Sequence, residues 1–359
     1  MPLPPRWLRR LVLAPGVVAL AVLLLTTLPL WLLILAAAAP LVPGRFRALR
    51  VLWLGTVHLT VEAVALVVMF VLWIASGFGW RVRGPRFQRI HYVLTSWLLT
   101  VLFWQGQWVL RLAINVEGAS PDEIGPGRPL LVFCRHAGPG DSFILAYALF
   151  NIYAREPRIV LKDTLQWDPA IDVLLNRLPN QFISVGVDHL EHIGELATGL
   201  DRDDALVIFP EGGNFTPKRR QRAIQRLRDL GLGRMAERAE RMRHVLAPRP
   251  GGVLAALEAA PDADIAWVAH TGLDRLLTIG DVWRELPMDK SIRMHWWAVR
   301  PEEVPAGREE RIEWLYDWWH RIDAWIEANQ PRPYARAGTA PSGTRLDKPE
   351  KLRQAPRSE

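Results

Sequence analysis

One cysteine, Cys134, stands in a chain of 359 residues. A single thiol closes no internal disulfide, and such usage is compatible with a reducing compartment. The sequence also lacks any recognisable nucleic-acid-binding module, so no nucleic-acid partner is expected. The excess of Lys and Arg over Asp and Glu is modest, 44 against 37. Much of it is concentrated between Lys218 and Arg243, and a local basic patch of that kind suits anionic lipid or phosphate. The last stretch, 331–359, has almost nothing to bury. Its Pro, Arg, Lys and Ser predict a disordered basic tail.

What the chain does have is a hydrophobic first hundred residues. Val17 to Ala39 is almost uninterrupted in its apolar character, with Arg6, Arg9 and Arg10 before it and Arg45, Arg47 and Arg50 after it. A second apolar run, Val51 to Ile74, follows at once. The first is too long for a signal peptide, and each is long enough for a hydrocarbon core of ~30 Å. Residues 1–80 therefore read as a membrane-embedded helical hairpin. Arginines lie on all three connecting segments, so charge does not orient the pair, and a crossing hairpin and one dipping into a single leaflet both stay open. Residues 81–118 read as an interfacial helix and linker. The helix is placed at Tyr92 to Ile114, where tryptophans, Gln105, Gln107 and Arg111 make the run less lipid-like.

From 119 to 330 the pattern changes to short apolar runs alternating with helical stretches. "PLLVFC", "RIVLK", "QFISVGV", "ALVIFP" and "DIAWVAH" read as buried strands. "DSFILAYALFNIYA", "AIDVLLNRL" and "GGVLAALEAA" read as helices. That alternation predicts an α/β domain with a mostly parallel central sheet flanked by helices. Glu309 to Gln330 reads as an amphipathic helix docked on the domain through Ile312, Leu315, Trp319, Ile322 and Ile326.

Two stretches could carry chemistry. In "VFCRHAGPGDSFIL" a strand ends on Arg135 and His136, a Gly-Pro-Gly turn follows, and Asp141 opens a helix. On a continuous helix His136 and Asp141 would lie roughly 140° apart. The turn forbids that helix and lets the two side chains meet. A carboxylate that accepts from one imidazole nitrogen fixes the tautomer and makes the other a better base. The alternative is that Asp141 merely caps its helix. In "ALVIFPEGGNFTPKRR" a strand ends in Glu211, Gly212 and Gly213, then Asn214 and the cations Lys218, Arg219 and Arg220. The glycines let a ligand approach the backbone, and the cations suit a phosphate.

Together these stretches resemble the glycerolipid acyltransferase superfamily, whose marks are an H-x4-D block and a later F-P-E-G block. Here they stand as "HAGPGD" and "FPEGGNFTP", roughly seventy residues apart and in the family's order. "VLKDTLQWDP" resembles a further family segment, with Lys162 in its lysine position. "HVLAPRPGGVLAAL" resembles the "LvPR..G" stretch of the 1-acylglycerol-3-phosphate and lysocardiolipin acyltransferase branch.

The resemblance implies a membrane-bound O-acyltransferase with its catalytic domain on the cytoplasmic side, where acyl thioesters are made. The donor would be acyl-CoA or acyl carrier protein, and the acceptor a lysophospholipid. His136 would be the general base and Asp141 its orienting partner. Glu211, Gly212, Gly213 and Asn214 would bind the acceptor. Neither a metal nor a cofactor is implied. "DHLEHIGE" spaces His189, His192 and Glu195 like ligands, but reads more simply as a solvated helix start.

Two family arginines are missing. The E-G-T-R block reads Glu211-Gly212-Gly213-Asn214, and the F-I-x-R block reads "FISV". Arg135, which stands where the family usually has Asn, is one candidate replacement, with Lys162, Lys218 and Arg219 as the others. Two other functions are compatible with the same residues. "GDS" resembles the nucleophile block of GDS-type esterases, with Ser142 as nucleophile, although no convincing late D-x-x-H pair accompanies it. A non-catalytic, membrane-tethered lipid-binding protein is the other.

Overall fold

A computed structural model of the chain describes residues 3–41, 44, 46–120, 127–183, 190–272, 280, 283–284 and 286–330. The proposed basic tail and His189 lie outside them. In chain order the elements used below are α1 (Arg6–Ala38), α2 (Arg47–Ala75), α3 (Pro85–Leu110), β1 (Leu112–Gly118), β2 (Leu130–Cys134), α4 (Pro139–Asn151), β3 (Glu156–Lys162), α5 (Pro169–Leu175), β4 (Gln181–Ile183), α6 (Leu190–Ala197), β5 (Asp204–Ile208), α7 (Pro217–Asp229), α8 (Gly233–Arg241), α9 (Pro250–Ala259), β6 (Asp264–Thr271), β7 (Lys290–Val299) and α10 (Arg308–Ala328).

Strands β2, β5 and β6 consist entirely of buried residues. Such runs cannot face water on either side, so they form the middle of a sheet covered on both faces. The sheet has seven strands in the order β1-β7-β6-β2-β5-β3-β4. It is parallel except between β6 and β7, and β1 runs parallel to β7. On one face Leu131, Phe133, Leu206 and Trp267 pack against α9 and α10. The five apolar residues picked out on α10, Ile312, Leu315, Trp319, Ile322 and Ile326, all belong to this core. On the other face Val132, Cys134, Val207 and Val268 meet Ile144, Leu145, Ala148 and Leu149 of α4 and Phe103 of α3.

The sheet begins earlier than 119. Leu112–Gly118, read from the sequence as linker, is strand β1 at one edge, in register with Lys290–Trp296 of β7. Helix α3 stops at Leu110, and Arg111 turns the chain into the strand from a left-handed conformation (φ 56°). Apolar residues continue through this junction, which hid it from a reading based on hydropathy.

Helices α1, α2 and α3 are each long and apolar enough to cross a bilayer. They do not stand apart from the α/β domain. Val61, Ala65, Leu66 and Met69 of α2 share a core with Leu94 and Leu98 of α3 and with Ala170 and Leu174 of α5. Near one end of α2, Arg47 donates to the carbonyls of Leu286 (2.7 Å) and Arg284 (2.9 Å). Towards the other end, the Met69 carbonyl accepts from Arg177 at 2.9 Å. The start of α1 is tied to the same region: Arg9 and Arg10 pair with the two carboxylate oxygens of Asp172 at 2.9 and 3.0 Å. Both Arg9 and Asp172 are buried there.

Candidate active site

In a parallel sheet the carboxyl ends of the strands open onto one rim, where α/β proteins place ligands. His136 follows β2 on that rim, Lys162 ends β3, Glu211 follows β5, and His270 is the penultimate residue of β6. The two conspicuous sequence stretches are thus brought together by adjacent strands, since β2 pairs directly with β5. The Phe215 amide donates to the His136 carbonyl at 2.8 Å, and the Phe209 ring lies 4.5 Å from the His136 ring, centroid to centroid.

The turn at Gly138 does what the sequence requires of it. His136 Nδ1 lies 3.2 and 3.3 Å from the two Asp141 carboxylate oxygens. Asp141 occupies the third position of α4, and from there its Oδ2 accepts the amides of Ala137 at 2.6 Å and Gly138 at 2.9 Å. Its Oδ1 accepts the Ser142 amide at 2.6 Å. The catalytic and the capping readings therefore describe one carboxylate. Asp141 is fully buried. Burial works against its charge, but hydrogen bonds from His136 and His270, and their charges, outweigh it and hold the carboxyl well below the usual range. An ionised Asp141 takes the proton-bearing nitrogen of His136, so Nδ1 carries the hydrogen and Nε2 carries the lone pair. No described residue hydrogen-bonds Nε2.

Glu211 serves as a clasp. Its Oε1 accepts the His136 amide at 3.1 Å and its Oε2 accepts the Leu246 amide at 3.0 Å. The carboxyl is buried, and this pushes its pKa up to about 8 in spite of Arg135 and the two amides. Gly212 and Gly213 follow at the rim. The remaining cations divide. Lys162 and Lys218 are exposed, and among the described residues neither makes an ion pair. Arg219 donates to the Asn214 carbonyl at 3.1 Å.

Arg135 is different, and the structure corrects its assignment. It is 1 % exposed, with Nη1 donating to the His270 carbonyl (2.8 Å) and Nη2 to the His244 carbonyl (2.9 Å). Consecutive residues in extended chain point to opposite sides, so Arg135 braces the loops behind His136 and presents nothing to a ligand.

The Ser142 hydroxyl lies 3.3 Å from Asp141 Oδ1, and no described imidazole bonds it. Among the described residues, His58, Glu62 and Asp168 have the spacing of metal ligands, but they sit where α2 meets the start of α5, not beside His136. A groove of about 620 Å³ lined by Pro85, Arg86, Arg89, Ile90 and Val93 lies on α3 and includes no site residue.

The family model described as Acyltransferase matches residues 113–261, and that stretch holds His136, Asp141 and Glu211. Among solved structures the chain is similar to the 1-acyl-sn-glycerophosphate (LPA) acyltransferase PlsC from Thermotoga maritima, at 14 % identity and a TM-score of 0.43, with 73 % of this chain and 96 % of that one covered. No curated protein gives a significant match.

Two residues near this site were given no role in the sequence reading. His270 lies past the matched stretch, inside a fully buried strand, with Nε2 3.4 Å from Asp141 Oδ2 and 3.2 Å from the Arg135 carbonyl. Arg249 lies in the "APRPGG" segment, and its amide donates to the Pro210 carbonyl at 2.8 Å. A histidine in an apolar run reads as core, and the "LvPR..G"-like stretch points to Arg249 without saying that it meets Gly212.

Proposed function

We propose that the protein is a membrane-associated O-acyltransferase that moves a fatty acyl group from acyl-CoA or acyl carrier protein to the hydroxyl of a lysophospholipid such as 1-acylglycerol-3-phosphate. The observation that carries this reading is the His136–Asp141 pair, with Nδ1 turned to a buried carboxylate and Nε2 left unbonded by the described residues. Nε2 takes the proton of the acceptor hydroxyl as its oxygen attacks the thioester carbonyl. Asp141 stabilises the imidazolium that forms. When the tetrahedral intermediate collapses, the C–S bond breaks and the thiolate receives the proton from His136. The enzyme forms no acyl intermediate, and the step needs neither metal nor cofactor.

Glu211 fixes the backbone of His136, and Gly212, Gly213 and Asn214 line the approach of the acceptor's glycerol end. Lys162, Lys218 and Arg219 add positive charge along the rim. The exposed Leu11, Val12, Leu20, Val22, Leu23 and Leu33 of α1 form an apolar surface for lipid, which keeps the site where both substrates partition. Acyl thioesters place the catalytic domain on the cytoplasmic side.

The test is incubation of the purified protein with labelled acyl-CoA and a panel of lysophospholipids. Transfer to at least one of them, abolished by His136→Ala, is the expected result. No transfer to any acceptor by folded protein overturns the proposal.

A further inference from the structure

Helix α7 carries six cations, and the structure sorts its five arginines into two groups. Arg220 donates to the carbonyls of Met242 (2.6 Å) and Glu240 (2.7 Å), and Arg228 pairs with the Glu240 carboxylate. These two fasten α7 to α8. Arg219, Arg222 and Arg226 stand at i, i+3 and i+7, so they form one stripe along the helix. Arg219 gives one nitrogen to the Asn214 carbonyl. Arg222 and Arg226 have no hydrogen-bond or ion-pair partner among the described residues.

Arg249 belongs with this stripe. Its guanidinium lies across Gly212: a Cβ at that position would be 3.0 Å from Cζ and 3.1 Å from Nε and Nη1. Gly212 also has φ +65°, so both backbone and space call for glycine. Beside it, a Cβ on Gly213 would be 3.2 Å from Arg219 Nη1. Two guanidinium groups thus rest on two successive glycines. Burial, and then the charge of Arg226, hold Arg249 below its ordinary value. No described carboxylate pairs with Arg249, Arg222 or Arg226. Like charges gathered without an acid repel one another, and an anion removes that cost.

The position is tied to the reaction centre. Glu211 bonds the amides of both His136 and Leu246, and Arg249 is anchored to Pro210. We propose that Arg249, with Arg219 beside it, binds a phosphate group of the substrate over Gly212 and Gly213, in place of the two arginines the sequence lacks. The assignment rests on the acyl-transfer reading above. A guanidinium offers a planar pair of donors that matches two phosphate oxygens. The phosphate comes either from the glycerolipid acceptor or from the CoA of the donor.

The experiment uses full-length protein in mixed micelles and the variants Arg249→Gln, Arg249→Lys and Arg219→Gln. In one arm 1-acylglycerol-3-phosphate is compared with 1-acylglycerol as acceptor; in the other, acyl-CoA is compared with acyl-pantetheine as donor. Arg249→Gln is expected to raise the KM of the phosphate-bearing member of one pair about 10- to 100-fold, the range set by charged hydrogen bonds. Its phosphate-free counterpart should move less than about twofold, and Arg249→Lys should recover part of the loss. A rise confined to the first arm assigns the acceptor's phosphate, and one confined to the second assigns that of CoA. Equal shifts for both members of each pair, or no shift in either arm, overturn the proposal. If the wild-type protein transfers nothing, the acyl-transfer reading fails separately. Equilibrium binding of the same four compounds then decides: the wild type must prefer a phosphate-bearing member, and Arg249→Gln must lose that preference.

Discussion

Asp141→Asn puts the dyad to its sharpest test, because the substitution keeps shape and removes charge. The wild-type carboxylate accepts three backbone amides, from Ala137, Gly138 and Ser142, and it faces both His136 and His270. An asparagine has one oxygen to give. With that oxygen at the Oδ2 position, the bonds to Ala137, Gly138 and His136 survive and the new NH2 confronts the Ser142 amide. In the other orientation it confronts two amides, so the first is cheaper. Losing one bond to a charged acceptor costs about 1.5–3 kcal/mol, and the fold should withstand it. The chemical step should suffer more. The imidazolium formed during proton transfer loses its counter-charge, so kcat should fall roughly 10²- to 10⁴-fold, the usual contribution of positioned acid–base catalysis. The assay is initial-rate transfer from labelled acyl-CoA, with thermal unfolding followed in parallel. Because the two residues act as one unit, His136→Ala/Asp141→Asn should be no slower than His136→Ala alone. If Asp141→Asn keeps more than about a tenth of wild-type kcat, or if the two losses multiply, Asp141 is only a capping residue of α4 and the dyad is wrong.

The other predictions follow from neighbouring contacts. His270→Phe removes the donor behind Asp141 while keeping a ring in the core; kcat should drop about tenfold with KM little changed, and His270→Gln, which restores a donor, should recover part of it. A loss of stability with unchanged kcat would make His270 purely structural. Glu211 is raised from 4.5 to about 8, so it stabilises the fold fully below pH 4.5 and loses that contribution as pH rises through about 8. Melting temperatures should therefore fall more steeply for wild type than for Glu211→Gln across that window, whereas parallel curves would contradict the placement of a buried acid there. Ser142→Ala should leave transfer within about threefold of wild type, since among the described residues its hydroxyl bonds only Asp141; abolition of activity would point to a serine nucleophile instead.

Much of this arrangement could be read in the chain beforehand, and the exceptions share a cause. Strands β2, β5 and β6 are apolar on both faces, so composition alone exposes them. His136, Asp141 and Glu211 stand at strand ends, where polar residues interrupt apolar runs. Strand β7 is half-buried and carries Lys290, Arg293 and His295, which blurs its pattern. Its partner β1 continues the apolar stretch of α3. The error over Arg135 came from treating sequence adjacency to His136 as adjacency in space. Arg249 was hidden for the converse reason: its contact with Gly212 is made only when the loops after β5 and before α9 meet.

The pairing of Arg9 and Arg10 with the buried Asp172 also bears on how the protein is made and handled. Arg10 and Asp172 are 162 positions apart, so the first helix emerges from the ribosome long before its carboxylate exists. It can lock to the α/β domain only after α5 has been synthesised, so docking of the N-terminus waits for nearly half of the chain. Trimming that helix to obtain a smaller fragment would strip Asp172 of both guanidinium groups, and breaking a buried ion pair by removing one partner costs about 3–5 kcal/mol. A truncated protein that fails to fold would then reveal a missing counter-ion, not a missing membrane.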